Sequence, residues 1–421
     1  MPLPTAAELT DPNATNTQMK QRLGQLVENV LSNDDLVDIE SNVEKKASSL
    51  DVRTNEPVAI AITFMDGHRT WLEAGPDGKP SAHSEGILRD LLGSTPSEVS
   101  VQHHVPMFRR MSTPLIEYHQ QSADTMYWPW AINKAEWGGR GIALFYSTDH
   151  ASNHNTSGIY LLEADSVEGP WIDRGRVYRD DVDGNQTETP SVIYDKTTNK
   201  LLMFYQQAAT AGGIGSQQTL LATAETSDLT TWTRVGVVLD KELAAQDGEG
   251  HSGYFRPFRF CGETMGYSLY GGGNVSNASL WRSKDSGYTW CRDGSMIGYM
   301  QDKCKHLASI LETPSHHCIL TIYEGDVMIW NGQPWWIGVV GKAQAGSIPV
   351  RNSRLVAAPL SDNFTSLKCN VVDITPEKAS YETVTGIDYP GNIFEFEGEY
   401  YSAYRTGGQK GAIGLMKLVN G

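Results

Sequence analysis

No run of apolar residues in this 421-residue chain approaches the roughly eighteen that a membrane-crossing helix needs. The opening stretch from Met1 to Asn13 is polar and carries prolines, with no apolar segment of signal-peptide type, so no membrane insertion is expected. Positive charge is scarce. Lys and Arg number 34 against 50 Asp and Glu, a formal charge of −16. A surface this acidic repels phosphate, which excludes nucleic acid as a partner. Cysteine is sparse: Cys261, Cys291, Cys304, Cys318 and Cys369, an odd number with no CxxC or Cys/His finger spacing. A disulfide framework is not expected, and thiols made in a reducing compartment fit the count. His316-His317 before Cys318 has no second ligand cluster at suitable spacing and reads as a loop entering a strand. No metal and no cofactor is expected. Charged residues make up only 20%, whereas Gly reaches 41, Tyr 18 and Trp 11. That balance suits a mainly β protein of short strands, tight turns and aromatic surfaces. The length predicts two or three domains.

Aromatic residues are absent from residues 1–50. Thr15 followed by Gln18 reads as a capping box, with Met19, Leu23, Leu26, Val27, Val30 and Leu31 on one helical face. Ser32-Asn33-Asp34 breaks and recaps, and Leu36, Ile39, Val43, Ala47 and Leu50 form a second stripe at heptad-like steps. Two helices this short cannot bury both stripes by themselves, which points to self-association or to packing on the rest of the chain. The opening Pro4-Thr5-Ala6-Ala7-Glu8-Leu9-Thr10-Asp11-Pro12, with Gln18-Met19-Lys20 and Leu23-Gly24-Gln25-Leu26, resembles the N-terminal leader of bacteriophage tail-fibre and tailspike proteins. The resemblance covers about thirty residues. It implies a virion-anchoring segment that contacts other virion proteins, a homotrimer, and a protein made in the host cytoplasm and located in the virion. Residues 51–110 read as a small adaptor. Val58–Phe64 is a strand, Asp66-Gly67 a hairpin turn, Thr70–Glu73 the return strand, and Ser84–Leu92 a short helix.

From residue 111 the chain repeats. Each unit is an apolar strand, an aromatic-rich strand, a small-residue strand, and then a Ser/Asp turn with Trp. Trp171, Trp232 and Trp290 recur about sixty residues apart. Five units, the last one strand short, predict a five-bladed β-propeller over 111–421. The missing strand is expected from Pro114–Tyr118, closing the ring and removing its sheet edges. Ser283-Lys284-Asp285-Ser286-Gly287-Tyr288-Thr289-Trp290 matches the sialidase Asp box, and Asp165–Trp171 and Thr226–Trp232 resemble blade ends of arabinanase- and xylosidase-type glycosidases. Both resemblances imply the propeller fold, and the second implies a glycoside hydrolase-like body.

Residues just before each inner strand of a propeller converge at one mouth of its channel. These are Trp128 and Trp130; Glu188; His251, Tyr254 and Arg256; Glu324 and Asp326; and Asp388. Carboxylates, one or two basic groups and flat rings suit a sugar, whose C–H faces stack on aromatics while its hydroxyls meet polar groups. Glycoside hydrolysis needs two carboxyl groups flanking the bond. The glycosidase resemblance implies three acids on three blades, and its carry-over is imperfect. Thr189 stands in the place of the tuning Asp, with Glu188 beside it. Asp388-Tyr389-Pro390 resembles the base region with an inserted Tyr, and Glu249 lies near the place of the acid. Glu188, Glu249 and Asp388 are therefore the catalytic candidates. Trp128, Trp130, His251, Tyr254, Arg256, Glu324, Asp326 and Arg405 are the binding candidates. A sialidase would need three channel arginines, for which Arg110, Arg256 and Arg405 are available; the blade count and the single full Asp box speak against it. Asp180, Asp181 and Asp183 read as a solvated turn, because no Glu completes a calcium loop. The expected function is a virion fibre or spike whose head binds, and in one reading hydrolyses, a host surface polysaccharide. The alternative is a free-standing glycoside hydrolase.

Overall fold

The computed structural model describes the strand residues 47–53, 59–64, 69–74 and 80–82. It further describes residues 105–116, 126–148, 157–182, 187–208, 217–240, 251–270, 277–296, 302–330, 332–342, 353–382, 384–406 and 412–419. The chain falls into two compact units. In the N-terminal unit, Ala47–Arg53, Ala59–Phe64, Arg69–Ala74 and Pro80–Ala82 form one antiparallel sheet in chain order. The expected hairpin is present, with Ile62 opposite Thr70 and Ala59 opposite Glu73. Ala47 and Leu50, expected at the end of a helical stripe, instead lie in a strand paired with Ala59–Phe64. Leu50 and Val52 alternate with Asp51 and Arg53, which is the period of a strand. The expected helices over residues 15–46 and 84–92 lie outside the described residues.

The larger unit is a five-bladed β-propeller. Blade 1 contains Met126–Asn133, Ile142–Thr148, Gly158–Ala164 and Ile172–Tyr178. Blade 2 contains Glu188–Asp195, Lys200–Ala208, Gln217–Glu225 and Thr233–Leu239. Blade 3 contains Arg256–Phe260, Glu263–Leu269, Ala278–Ser283 and Trp290–Met296. Blade 4 contains Cys318–Trp330, Gln333–Lys342, Arg354–Pro359 and Val372–Asp373. Blade 5 contains Ile387–Phe396, Glu399–Thr406 and Ile413–Leu418, and its outer strand is Phe108–Arg110. The closing strand thus begins upstream of the expected Pro114–Tyr118, with Arg110 opposite Met416. Leu115 and Ile116 continue along the same edge through backbone bonds to Ile413.

The core sits in the wedges between blades. Phe394, Phe396 and Tyr401 of blade 5 pack on Ile142, Leu144 and Tyr160 of blade 1. Ile132 and Phe145 of blade 1 pack with Leu201 and Met203 of blade 2. The turn tryptophans fill the outer parts of these wedges. Trp232 meets Phe145 of the preceding blade at 5.6 Å, and Trp290 meets Phe204 at 5.7 Å, both edge-on. Each indole is oriented by its own turn. Trp171 donates to the Val167 carbonyl, Trp232 to Leu229, and Trp290 to Gly287. In the Ser283–Trp290 turn the Asp285 carboxylate accepts from the Thr289 backbone N–H at 2.6 Å and from its hydroxyl at 2.9 Å. Asp228 takes Thr230 in the same way, and Asn363 takes Thr365.

Polar links join inner strands around the ring. Trp130 Nε1 donates to the Val192 carbonyl at 2.7 Å, and Ser191 Oγ donates to Phe255 at 2.6 Å. Asp326 accepts from the Ile393 N–H at 2.6 Å. Asn392 grips both backbone groups of Ala131, at 2.8 and 2.7 Å. Gly391 permits that last approach, since a Cβ there would lie 2.3 Å from the Pro129 carbonyl oxygen. Among the described residues no helix is long and apolar enough to cross a membrane.

Candidate functional site

The inner strands open in a shared way that the sequence did not announce. Trp128, Thr189, Tyr254 and Tyr389 all have positive φ, between 49° and 56° for the first three and 46° for the last. They stand at the starts of the inner strands of blades 1, 2, 3 and 5. Such a conformation costs a residue with a Cβ about 1–3 kcal/mol. At three of these places the strand register also shifts: between Tyr127 and Trp130, between Glu188 and Ser191, and between Asp388 and Pro390. A bulge of this kind re-aims side chains next to it. The left-handed residue is followed directly by proline in Trp128-Pro129, Thr189-Pro190 and Tyr389-Pro390. That repeated X-Pro dipeptide was the available sequence signal for Tyr389, which the candidate set omitted.

Glu188 and Asp388 at the bulged starts of blades 2 and 5, and Glu324 inside the inner strand of blade 4, lie around two phenols. The charges of Glu188 and Glu324 both act on Tyr254. Those of Glu324 and Asp388 both act on Tyr389. Burial first, and these carboxylates second, hold both phenols protonated well above the ordinary range. All three carboxylates are buried: Glu188 at 0%, Glu324 at 4% and Asp388 at 5% exposure. Asp388 forms a buried ion pair with Arg405 at 3.0 Å. The Arg405 guanidinium also lies 5.1 Å from the Tyr127 ring and 5.8 Å from the Tyr389 ring. Trp128 lies among these rings, edge-on to Tyr389 at 5.0 Å and to Tyr254 at 5.6 Å. Trp128 is 1% exposed, so the half-buried Tyr127 and Tyr389 are the more open faces.

His251 supports this layer from behind. Its Nδ1 accepts from the Gly253 N–H at 3.0 Å, so the ring proton is on Nε2, which faces Gln217 Oε1 at 2.9 Å. Burial pushes its pKa down to about 4, and the neutral ring stacks on Tyr254 at 5.7 Å. One step further along the strands lie Trp130, Arg256 and Asp326. Arg256 sits 5.6 Å from the Trp130 ring. Trp130 and Asp326 take part in the links between blades described above. Burial raises Asp326 to about 7, against the lowering by the backbone N–H groups of Ile393 and Val327 and by Arg256. Glu249 lies outside the described residues. Arg110 is away from this layer, in the closing strand, where it pairs with Glu382 and donates to the Thr385 carbonyl. Asp180 is not solvated as expected. It is 3% exposed and accepts from Tyr205 at 2.6 Å and Arg234 at 2.8 Å between blades 1 and 2. No group of metal-ligating side chains occurs among the described residues.

No protein-family model and no curated protein matches the chain. Solved structures do match its fold. A glycosyl hydrolase from Bacteroides ovatus superposes with a TM-score of 0.50 at 15% identity, over 74% of this chain and 93% of that one. A GH43_1 enzyme from Xanthomonas citri gives 0.51 at 12% identity, over 74% and 92%. A third structure, from work on GH130 glycoside hydrolases that target β-1,2 mannosidic linkages in Candida mannan, gives 0.50 at 13% identity, over 76% and 95%. At these identities the likeness establishes a five-bladed propeller of the kind glycoside hydrolases use.

Proposed function

We propose that the propeller is a glycan-acting head that binds a host surface polysaccharide and hydrolyses it at the Glu188–Glu324–Asp388 mouth. The supporting observation is the meeting of three carboxylates from blades 2, 4 and 5 around Tyr254 and Tyr389. Blades 4 and 5 are neighbours and blade 2 lies across the ring from them, so a glycosidic bond at the mouth has carboxyl groups on opposite sides. Hydrolysis needs one group to take a proton from water or attack the sugar, and another to give a proton to the leaving oxygen. Arg405 favours the anion of Asp388, which suits Asp388 to the first task. Glu188 or Glu324 supplies the proton. Tyr127 and Tyr389 offer the ring faces for stacking.

Amide variants tested on aryl glycosides decide the roles. Loss of the acid is rescued by a good leaving group, and loss of the base is not. Asp388→Asn is expected to lose turnover of 4-nitrophenyl glycosides by about a thousandfold. Either Glu188→Gln or Glu324→Gln is expected to keep those substrates while losing natural polysaccharide. Full activity in all three variants would sink the hydrolytic reading.

The N-terminal leader supports a place for this head on a phage virion, as a homotrimeric fibre or spike anchored through residues 1–50. The Ser283–Trp290 turn supports a sialidase-type Asp box as scaffold. Sedimentation of the full chain tests the trimer, and a monomer would contradict it. The free-standing hydrolase reading predicts the same turnover with no association.

A further inference from the structure

We infer that Gln206 is the positioning residue of the Glu188 carboxylate, an inference that rests on the glycan-acting reading of the mouth. Gln206 is on the second strand of blade 2, directly opposite Glu188 in register, and is 0% exposed. Its amide has one orientation available. The Tyr254 backbone N–H can only donate, and it lies 2.9 Å from Oε1. Nε2 must therefore face the other way, where it reaches Glu188 Oε2 at 3.3 Å. The same side chain bonds the Tyr254 side chain. One buried amide thus ties the carboxylate of blade 2 to the left-handed residue of blade 3, whose φ is 56°. Gly253 leaves the space for it, because a Cβ at that position would lie 2.4 Å from Gln206 Oε1.

The consequence for chemistry is directional. With Oε2 held by the amide, the orientation of the Glu188 carboxylate is set by the second strand of its own blade. The carboxylate is kept from rotating, so its approach to the bond is set before the sugar arrives. A buried glutamine that merely satisfies its own polar atoms would matter for stability alone.

The test uses the full chain as wild type, Gln206→Met, Gln206→Glu, and the exchanged pair Glu188→Gln with Gln206→Glu. Thermal unfolding is measured alongside hydrolysis of methyl α-L-arabinofuranoside, methyl β-D-xylopyranoside and methyl β-D-mannopyranoside, whose poor leaving group needs the acid. Gln206→Met is expected to lower kcat by about tenfold or more while KM stays within about threefold. Gln206→Glu is expected to lower both kcat and Tm, since two carboxylates then face each other. The exchanged pair is expected to regain most of that Tm and none of the turnover, because its carboxylate stands on the wrong strand. Unchanged kcat in Gln206→Met, or turnover restored in the exchanged pair, overturns the inference. Absence of wild-type turnover on all three glycosides defeats the hydrolytic reading instead. Recovery of Tm in the exchanged pair then still supports the amide–carboxylate clamp, and no recovery overturns it.

Discussion

Asp326 and His251 titrate in opposite senses. The Asp326 carboxyl is raised from 3.8 to about 7 in the folded chain by burial. Between these values the unfolded chain has lost the proton and the folded chain keeps it. The contribution of Asp326 is therefore full below about pH 4 and is lost as pH rises towards 7. The His251 imidazole is lowered from 6.5 to about 4. The unfolded chain gains a proton below 6.5 that the folded chain refuses, so its contribution is full above 6.5 and is lost as pH falls towards 4. The two oppose each other across this window. Asp326→Asn is expected to make stability rise more steeply with pH between about 4 and 7 than in the wild type, measured by urea midpoints. Parallel pH profiles for variant and wild type would contradict the raised Asp326. At this scale the sequence was only partly legible. Glu188, Glu324 and Asp388 were named as candidates from their place before an expected inner strand; Glu188 and Asp388 do stand at strand starts, whereas Glu324 lies well inside Cys318–Trp330. Gln206 was not, because its relation to Glu188 and Tyr254 depends on a strand pairing and on the next blade. Tyr389 was seen only as an insertion, since a positive φ does not show in a residue name.

At the scale of the element, the repeated turn is the unit of construction. Its tryptophan was legible because Trp171, Trp232 and Trp290 recur with their Ser/Asp context. A turn carbonyl accepts from each indole N–H, and in the Asp228 and Asp285 turns the carboxylate holds a threonine of the turn. The indole then fills the wedge against the preceding blade. Trp290 also lies 4.8 Å from Phe255, beside the Tyr254 strand start, so this wedge reaches the site. Trp290→Ala is expected to cost about 3–5 kcal/mol, and Asp285→Ala about 1–2 kcal/mol, by chemical denaturation. Equal costs would mean that the turn and not the wedge carries the stability. The opposite case is Ala47–Arg53. Its Ala47 and Leu50 fit a heptad-like stripe, and only pairing with Ala59–Phe64 selects the alternating reading.

For the whole molecule, closure of the ring decides whether the mouth exists. Arg110 of the closing strand pairs with Glu382, both side chains being 1% exposed. Tyr404 donates to the other Glu382 oxygen at 3.0 Å, and the Ala379 N–H donates at 2.7 Å to the oxygen that Arg110 holds. Removing one member of a buried pair leaves an uncompensated charge. Glu382→Ala is expected to cost about 3–5 kcal/mol in a single unfolding transition, and Arg110→Met with Glu382→Leu distinctly less. A loss of similar size in the double variant would place the stability in the charge pair itself. The propeller was legible in full from its five-fold repeat, whereas the closing strand fell upstream of the apolar segment chosen for it, because Phe108-Arg109-Arg110 carries too few apolar residues to stand out. What the ring presents at its mouth is most directly tested by offering the full chain a panel of bacterial surface polysaccharides and analysing the products. Wild type is expected to bind at least one and release a defined oligosaccharide or sugar, and Asp388→Asn to bind it without release. Binding and release that are unchanged in Asp388→Asn, or no polysaccharide bound by the wild type, would contradict a carboxylate-lined glycan site in this channel.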